Sequence, residues 1–206
     1  MNQKLIIEKN FNLALENHQK NNFQIAENLY KEILKVNPNH FQSICFLGTL
    51  STQTKNFERA KQLFYKAIKI QPNFAEAHNN FGTVWKQMQE NQKAISCYEK
   101  AIQINPNYMA AYNNLGTTFT DLGEYKKAVS CFEKAIEINP NFVSAYYNLG
   151  IAFKEMAELQ KAINCYEKAI QIDSNYVNAY NNLGIILGDL NRFDEAKKYL
   201  EKSLNI

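Results

Sequence analysis

The sequence predicts an all-α solenoid of about six helix-turn-helix repeats, and three observations lead to this fold class. Prolines recur every 34 residues, at positions 38, 72, 106 and 140. The segments around them are nearly identical, as the stretches that begin at Cys97, Cys131 and Cys165 show. Each repeat also contains two amphipathic segments in which apolar residues follow the helical spacing. A fixed period of this length is typical of chains built by stacking one supersecondary unit.

The period divides the chain into one predicted solenoid domain, residues 1–206. Its repeats cover residues 7–40, 41–74, 75–108, 109–142, 143–176 and a shortened 177–206, and Ser174 stands where proline is found in earlier repeats. Hydrophobic residues make up 46% of the chain and charged residues 21%. This composition is that of a globular protein and excludes a disordered or fibrous chain.

The repeat at 109–142 shows both helices of the unit most clearly. One face of the first helix, named helix A, carries Tyr112, Leu115, Gly116 and Phe119. Gly123 interrupts this pattern, and the second helix, named helix B, carries Tyr125, Ala128, Phe132, Ala135 and Ile136 on one face. Pro140 ends helix B, because its ring disfavours helix at the preceding residue. We expect Asn139 and Asn141 to form a left-handed turn there and to cap the next helix.

Small residues at fixed places predict close contacts between the two helices of a repeat. Five of the seven glycines hold one place in helix A: Gly48, Gly82, Gly116, Gly150 and Gly184. Six alanines hold one place in helix B: Ala26, Ala60, Ala94, Ala128, Ala162 and Ala196. A glycine inside a helix costs roughly 1 kcal/mol relative to alanine. Five in register therefore indicate a steric demand, and we expect an aromatic side chain of helix B to fill the space.

The order of these residues resembles the tetratricopeptide repeat (TPR). The pattern stands here as Tyr112, Leu115, Gly116, Phe119, Ala128, Phe132, Ala135 and Pro140. The first repeat departs from it, with Asn10 and Asn17 in aromatic places and Ala14 for glycine. The second has Ile44 and Ser51 in those aromatic places. The resemblance implies that the repeats stack into a right-handed superhelix with helix A on the concave side.

Asparagine is the informative feature on the side of helix A that faces away from the apolar face. The chain has 28 Asn, and five of six repeats carry one at the same place, with Phe46 as the exception. A carboxamide offers two donors and an acceptor, which match the N–H and C=O groups of an extended peptide. The predicted peptide-binding groove consists of Asn12, Asn79, Asn80, Thr83, Asn113, Asn114, Thr117, Tyr147, Asn148, Asn181 and Asn182. Side chains that bridge neighbouring repeats would leave the same pattern, so that alternative stays open.

Composition and motifs argue against several other classes of function. The net charge of +3 is too small and too evenly spread to predict a nucleic-acid or membrane partner. The three His lie in different repeats, and no motif indicates a metal site or a nucleophile. We therefore expect no enzyme activity, no metal and no cofactor in this chain. His78 is expected to pack in place of an aromatic residue.

The cysteines are expected to be unpaired. Cys97, Cys131 and Cys165 hold one place in helix B, and equivalent residues of stacked helices lie ~8–10 Å apart, too far for a disulfide. We therefore predict half-buried apolar contacts at this place. Unpaired cysteines favour a reducing, cytoplasmic location.

These features predict a non-catalytic scaffold that binds a protein or an extended peptide segment. The asparagine column is similar to that of the TPR superhelix in O-GlcNAc transferases. The resemblance leaves a second possibility, the substrate-recruiting region of a larger glycosyltransferase of that kind or of a sulfotransferase. A third is a self-associating solenoid, because Leu200, Leu204 and Ile206 of the last repeat would leave an apolar face open for end-to-end contact.

Overall fold

The computed structural model describes residues 3–206, and this range is helical apart from short turns. Residues 1 and 2 of the predicted domain lie outside it. In chain order the helices are α1 (Gln3–Gln19), α2 (Phe23–Val36), α3 (Phe41–Gln53), α4 (Phe57–Ile70), α5 (Ala75–Gln87), α6 (Asn91–Ile104), α7 (Met109–Asp121), α8 (Tyr125–Ile138), α9 (Val143–Glu155), α10 (Leu159–Ile172), α11 (Val177–Asp189) and α12 (Phe193–Leu204). Odd-numbered helices are the A helices and even-numbered ones the B helices. Within the described range there is no strand, and the predicted all-α solenoid of helix pairs is confirmed.

Two compact units can be distinguished, and each is described by itself. The first ends at Pro106 and contains α1 to α6, whereas the second comprises Asn107–Ile206 and contains α7 to α12. Within each unit, every helix packs against the next one along the chain. None of the described helices combines the length and the hydropathy that a membrane span requires.

The predicted contact between glycine and an aromatic ring is confirmed for Gly48, Gly82, Gly116 and Gly150, whereas Gly184 in the last repeat meets Leu200 instead. A Cβ atom added to Gly82 would lie 2.6 Å from Tyr98 Cε1, and one added to Gly116 would lie 2.6 Å from Phe132 Cε1. Both rings are almost completely buried. The alanines that hold the fixed place in helix B are buried as well. The glycines thus allow helix A to approach a ring that helix B holds in place.

The expected left-handed turn beside Pro140 is wrong. Asn139 has φ −137° and ψ 99°, which is extended backbone, because the residue before a proline is pushed out of the helical regions. Its Oδ1 accepts a hydrogen bond from the backbone N–H of Asn141 at 3.0 Å. The residue that precedes α9 is Phe142, and it makes no side-chain cap. Asn139 therefore shapes the turn through its side chain.

Left-handed backbone occurs instead in the turn between helix A and helix B. Gly123 has φ 74°, its N–H donates to Thr120 O, and the N–H of Glu124 donates to Phe119 O. This pair of bonds is the Schellman motif, which ends a helix with one left-handed residue. The equivalent turns place non-glycine residues at φ 58–62°: Asn21, Lys55, Gln89, Ala157 and Asn191.

Candidate functional site

In the first unit, the predicted groove residues lie in different surroundings. Asn12 is exposed on α1, whereas Asn79 is only 5% exposed on α5. The Nδ2 of Asn79 donates to Oδ1 of the half-buried Asn80 at 3.2 Å. The hydroxyl of Thr83 donates to the backbone O of Asn79 and accepts from the Tyr98 hydroxyl at 3.4 Å. Asn80 and Thr83 are thus brought together, while Asn79 belongs largely to the packed interior.

In the second unit, polar side chains of neighbouring A helices are hydrogen-bonded to each other. Asn148 of α9 donates through Nδ2 to Asn113 Oδ1 of α7 at 2.9 Å. Asn182 of α11 donates to the Tyr147 hydroxyl at 3.3 Å and lies 3.4 Å from the Tyr166 hydroxyl. The contacts of Asn148 with Asn113 and of Asn182 with Tyr147 each join residues that are 35 positions apart in the sequence. The bridging between repeats that the sequence left open is therefore present at these two places.

The remaining groove residues of the second unit are half-buried on the same A helices: Asn114, Thr117 and Asn181. The Thr117 hydroxyl lies 2.9 Å from Asn113 O and 3.0 Å from Asn114 O, so it bonds to its own helix. The Thr117 hydroxyl is therefore already hydrogen-bonded, and its contribution to ligand binding would come mainly from van der Waals contact. The carboxamides on this face each carry two N–H donors and an oxygen acceptor.

Tyrosine rings form part of this face, although the sequence analysis placed only Tyr147 there. Tyr176 lies 5.3 Å and Tyr166 lies 5.8 Å from the Tyr147 ring. Burial raises the pKa of both Tyr166 and Tyr176, so their hydroxyls stay protonated at neutral pH. Tyr166 belongs to helix B, and its hydroxyl reaches Asn182 past the place of Gly150. A tyrosine instead of phenylalanine at this helix B place was the signal that could have identified it.

Three cavities open in the first unit between residues drawn mainly from α1, α3 and α5. Their volumes are 830, 70 and 180 Å³. Gln42 lines the first and the second cavity, and Asn80 lines the second and the third. The exposed Asn12 borders the largest of them. Through these shared residues the three cavities adjoin one another.

The other candidate chemistry of the sequence is accounted for by packing. In the described range, no group of three or more His, Cys, Asp and Glu could hold a metal ion. His78 is 9% exposed, and its Nε2 lies 2.8 Å from Pro72 O, so the ring packs as predicted. The four cysteines form no disulfide bond and are half-buried. Burial raises the pKa of Cys97 and Cys165 to about 11, which keeps both thiols protonated near neutral pH.

Comparisons with known proteins agree with this architecture. Family models of the tetratricopeptide repeat match residues 41–74, 82–120, 116–156 and 143–206. The crystal structure of MamA is 28% identical, with a TM-score of 0.68, over 78% of this chain and 94% of that chain. PilF of Pseudomonas aeruginosa is 18% identical, with a TM-score of 0.84, over 97% of this chain and 90% of that chain.

A third solved structure is YrrB, described as a TPR protein with an unusual peptide-binding site. It is 22% identical, with a TM-score of 0.65, over 87% of this chain and 96% of that chain. Comparison with curated protein sequences gives no match. The family models together cover most of the chain. The protein belongs to the tetratricopeptide-repeat family.

Proposed function

We propose that this protein is a non-catalytic scaffold that binds an extended protein segment along the A helices of its second unit. The observation that carries the proposal is the pair of bridged polar groups, Asn113 with Asn148 and Tyr147 with Asn182. YrrB has the same fold and a peptide-binding site of its own. The proposed cytoplasmic location rests on the sequence alone, as does the alternative that the chain is the substrate-recruiting region of a larger transferase.

Bridging between repeats uses only part of each carboxamide. A carboxamide has two N–H donors and an oxygen with two lone pairs. Among the described residues, the bridge occupies Oδ1 of Asn113 and one N–H of Asn148. The NH₂ group of Asn113 and the oxygen of Asn148 are then able to bind a C=O and an N–H of a peptide backbone. Because the bridge holds both amides in place, less side-chain conformational entropy is lost when a ligand binds.

The A-helix face of the second unit presents neutral amide groups to a ligand. The charged residues of these helices lie elsewhere. On α7, α9 and α11 the charged residues are confined to the last turn: Asp121, Lys154, Glu155 and Asp189. Backbone recognition by neutral amides gives little preference for ligand sequence. It should also depend little on salt, because screening acts mainly on interactions between charges.

The proposal is tested by selecting peptides from a random display library on the immobilised chain and measuring the dissociation constant of the selected peptide. In the variant Asn113→Ala/Asn148→Ala two contacts are lost, each contributing ~1 kcal/mol, so affinity should fall about 30-fold. The matched control is Lys134→Ala/Lys168→Ala, at helix B side chains bonded only within their own helix. Equal affinities of the asparagine variant and the control variant would contradict the proposal, as would failure to select any peptide.

Self-association is a second candidate, favoured by apolar side chains on the last helix. Phe193 is 65% exposed and Leu204 is 85% exposed on α12. Burying such side chains against another surface contributes ~25 cal/mol per Å². Light scattering at increasing protein concentration measures this directly, and a constant monomer mass would rule it out for the isolated chain.

A further inference from the structure

The asparagine column is replaced by an aromatic residue in the first unit, and a small cavity lies beside that residue. Phe46 of α3 stands where the other repeats have asparagine, and its side chain is 36% exposed. Phe74, which precedes α5, is also 36% exposed. Both residues border the 70 Å³ cavity, which is lined by Phe41, Gln42, Cys45, Phe46, Phe74, Glu76, Ala77 and Asn80. This volume suits the end of one side chain, whereas ligand pockets for small molecules are several times larger.

The two exposed rings are held in place by other aromatic residues. Phe46 stacks on the buried Tyr30 with centroids 6.2 Å apart, and it meets the edge of Phe11 at 5.7 Å. Phe74 meets Phe41 at 4.9 Å in an edge-to-face contact. Such pairs stabilise ring orientation beyond simple burial. The cavity therefore has preformed aromatic walls.

A single charged residue, Glu76, lines this cavity. Among the described residues no cation is placed in an ion pair with its carboxylate, unlike Glu58 of α4, which pairs with Lys61. Burial raises the pKa of the neighbouring Cys45 to about 12, and the Glu76 charge contributes to this rise. Glu76 lies in the first turn of α5, where a negative charge is favourable to the helix. The exposed Glu76 carboxylate thus lies at the wall of an aromatic cavity.

We propose that this cavity binds the guanidinium end of an arginine side chain of an extended peptide. The inference rests on the proposed function in so far as the arginine belongs to a peptide. The planar guanidinium can stack on an aromatic face and donate to a carboxylate at the same time. Arginine also places an apolar stem along the aromatic walls while its charged end pairs with Glu76. Unlike the amides of the second unit, this site selects one side chain by its charge.

The test uses two synthetic probes, acetyl-Ala-Ala-Arg-Ala-Ala-amide and its citrulline counterpart, which has nearly the same shape without the charge. Each is titrated into the isotope-labelled full chain, and backbone amide shifts are followed by NMR. The arginine probe should shift the signals of Phe46 and Glu76 and bind about fivefold more tightly than the citrulline probe. Added salt should reduce this difference.

Two variants assign the preference to the cavity. Glu76→Gln should make the two probes bind equally, while the exposed-residue control Glu99→Gln should keep the preference. Phe46→Asn introduces the residue that the other repeats have at this place, so folding should be retained. This variant should bind the arginine probe about two- to fivefold more weakly. Equal binding of both probes to the unmodified chain, or an unchanged preference in Glu76→Gln, would overturn the inference. Absence of shifts at Phe46 and Glu76 would overturn it too.

The variant Asn113→Ala/Asn148→Ala separates this inference from the proposed function. If the arginine probe binds at Phe46 and Glu76 in this variant and in the unmodified chain alike, the cavity stands on its own. Library peptides that bind through the second unit, together with an arginine probe that shifts neither Phe46 nor Glu76, would support the scaffold function and overturn the arginine site.

Discussion

The contact between Gly116 and Phe132 supports a quantitative prediction about how the helices of one repeat pack. In the variant Gly116→Ala the new Cβ would lie 2.6 Å from Phe132 Cε1 and 2.9 Å from Cδ1 and Cζ. Carbon atoms do not approach so closely, and the ring is completely buried. The ring or the helix must therefore move.

The magnitude follows from two opposing contributions. Alanine inside a helix is favoured over glycine by ~1 kcal/mol, whereas overpacking a core costs ~1–3 kcal/mol. Gly116→Ala should therefore lower the free energy of unfolding by up to ~2 kcal/mol. Phe132→Ala alone removes a buried ring and should cost ~3–5 kcal/mol. Once the ring is absent, the methyl group meets no clash, and the same glycine substitution should become stabilising.

The assay is a double-mutant cycle measured by urea unfolding, followed by far-ultraviolet circular dichroism. The coupling free energy between Gly116→Ala and Phe132→Ala should be ~1–3 kcal/mol, because the two side chains are in contact. The matched control is Gly188→Ala on α11, where an added Cβ has no atom within 4 Å. That control should raise stability slightly, by up to ~1 kcal/mol.

Additive effects of the two substitutions would refute this account of the packing. A stabilising effect of Gly116→Ala in the presence of Phe132 would do the same, since it would mean that the fixed glycine place carries no steric demand.

Two further predictions concern the turns and the thiols. Ala157 and Gly123 have left-handed backbone in equivalent turns, so Ala157→Gly should raise the free energy of unfolding by ~1 kcal/mol and Gly123→Ala should lower it by a similar amount. Thermal unfolding of both variants measures this difference. Equal melting temperatures of the two variants would contradict it. Burial raises the pKa of Cys97 and Cys165 to about 11 from the ordinary value of 9.0. The folded state therefore holds these protons more tightly, and stability should be lost as pH rises from 9 towards 11. Urea unfolding across this range, with a Cys97→Ala/Cys165→Ala variant as control, checks the sign; a decline just as steep in the variant would rule out the thiols as its cause.

The repeat period made the helices and their contacts predictable, since one pattern recurs in most of the repeats. The place of Gly116, the ring of Phe132 and the end of helix B at Pro140 all follow from it. The backbone conformation of the turns was harder to predict from the sequence. Asparagine beside a proline suggested left-handed backbone, but the restriction that proline places on Asn139 prevailed. Left-handed backbone occurs at Ala157, a residue type that gives no such signal.

The candidate sites were predictable in residue type and less so in their contacts. The asparagine pattern alone could not separate bridging from ligand binding, and the contact of Asn148 with Asn113 shows that bridging occurs. Phe46 was visible as an exception in the column. Its cavity also needs Phe74 from the end of the same repeat and Glu76 from the following repeat, both about thirty positions away in the sequence. Only the fold brings them together.

The most direct test of the central claim observes the side-chain NH₂ signals of Asn113 and Asn148 by NMR while a library-selected peptide is added to the full chain. If the second unit binds a peptide backbone, the Asn113 NH₂ signal should move downfield in proportion to bound peptide, because its protons gain a carbonyl acceptor. Signals of Lys134 and Lys168 should stay in place. A selected peptide that binds tightly while the NH₂ signals of Asn113 and Asn148 do not move would contradict the claim and leave these amides as bridges between repeats.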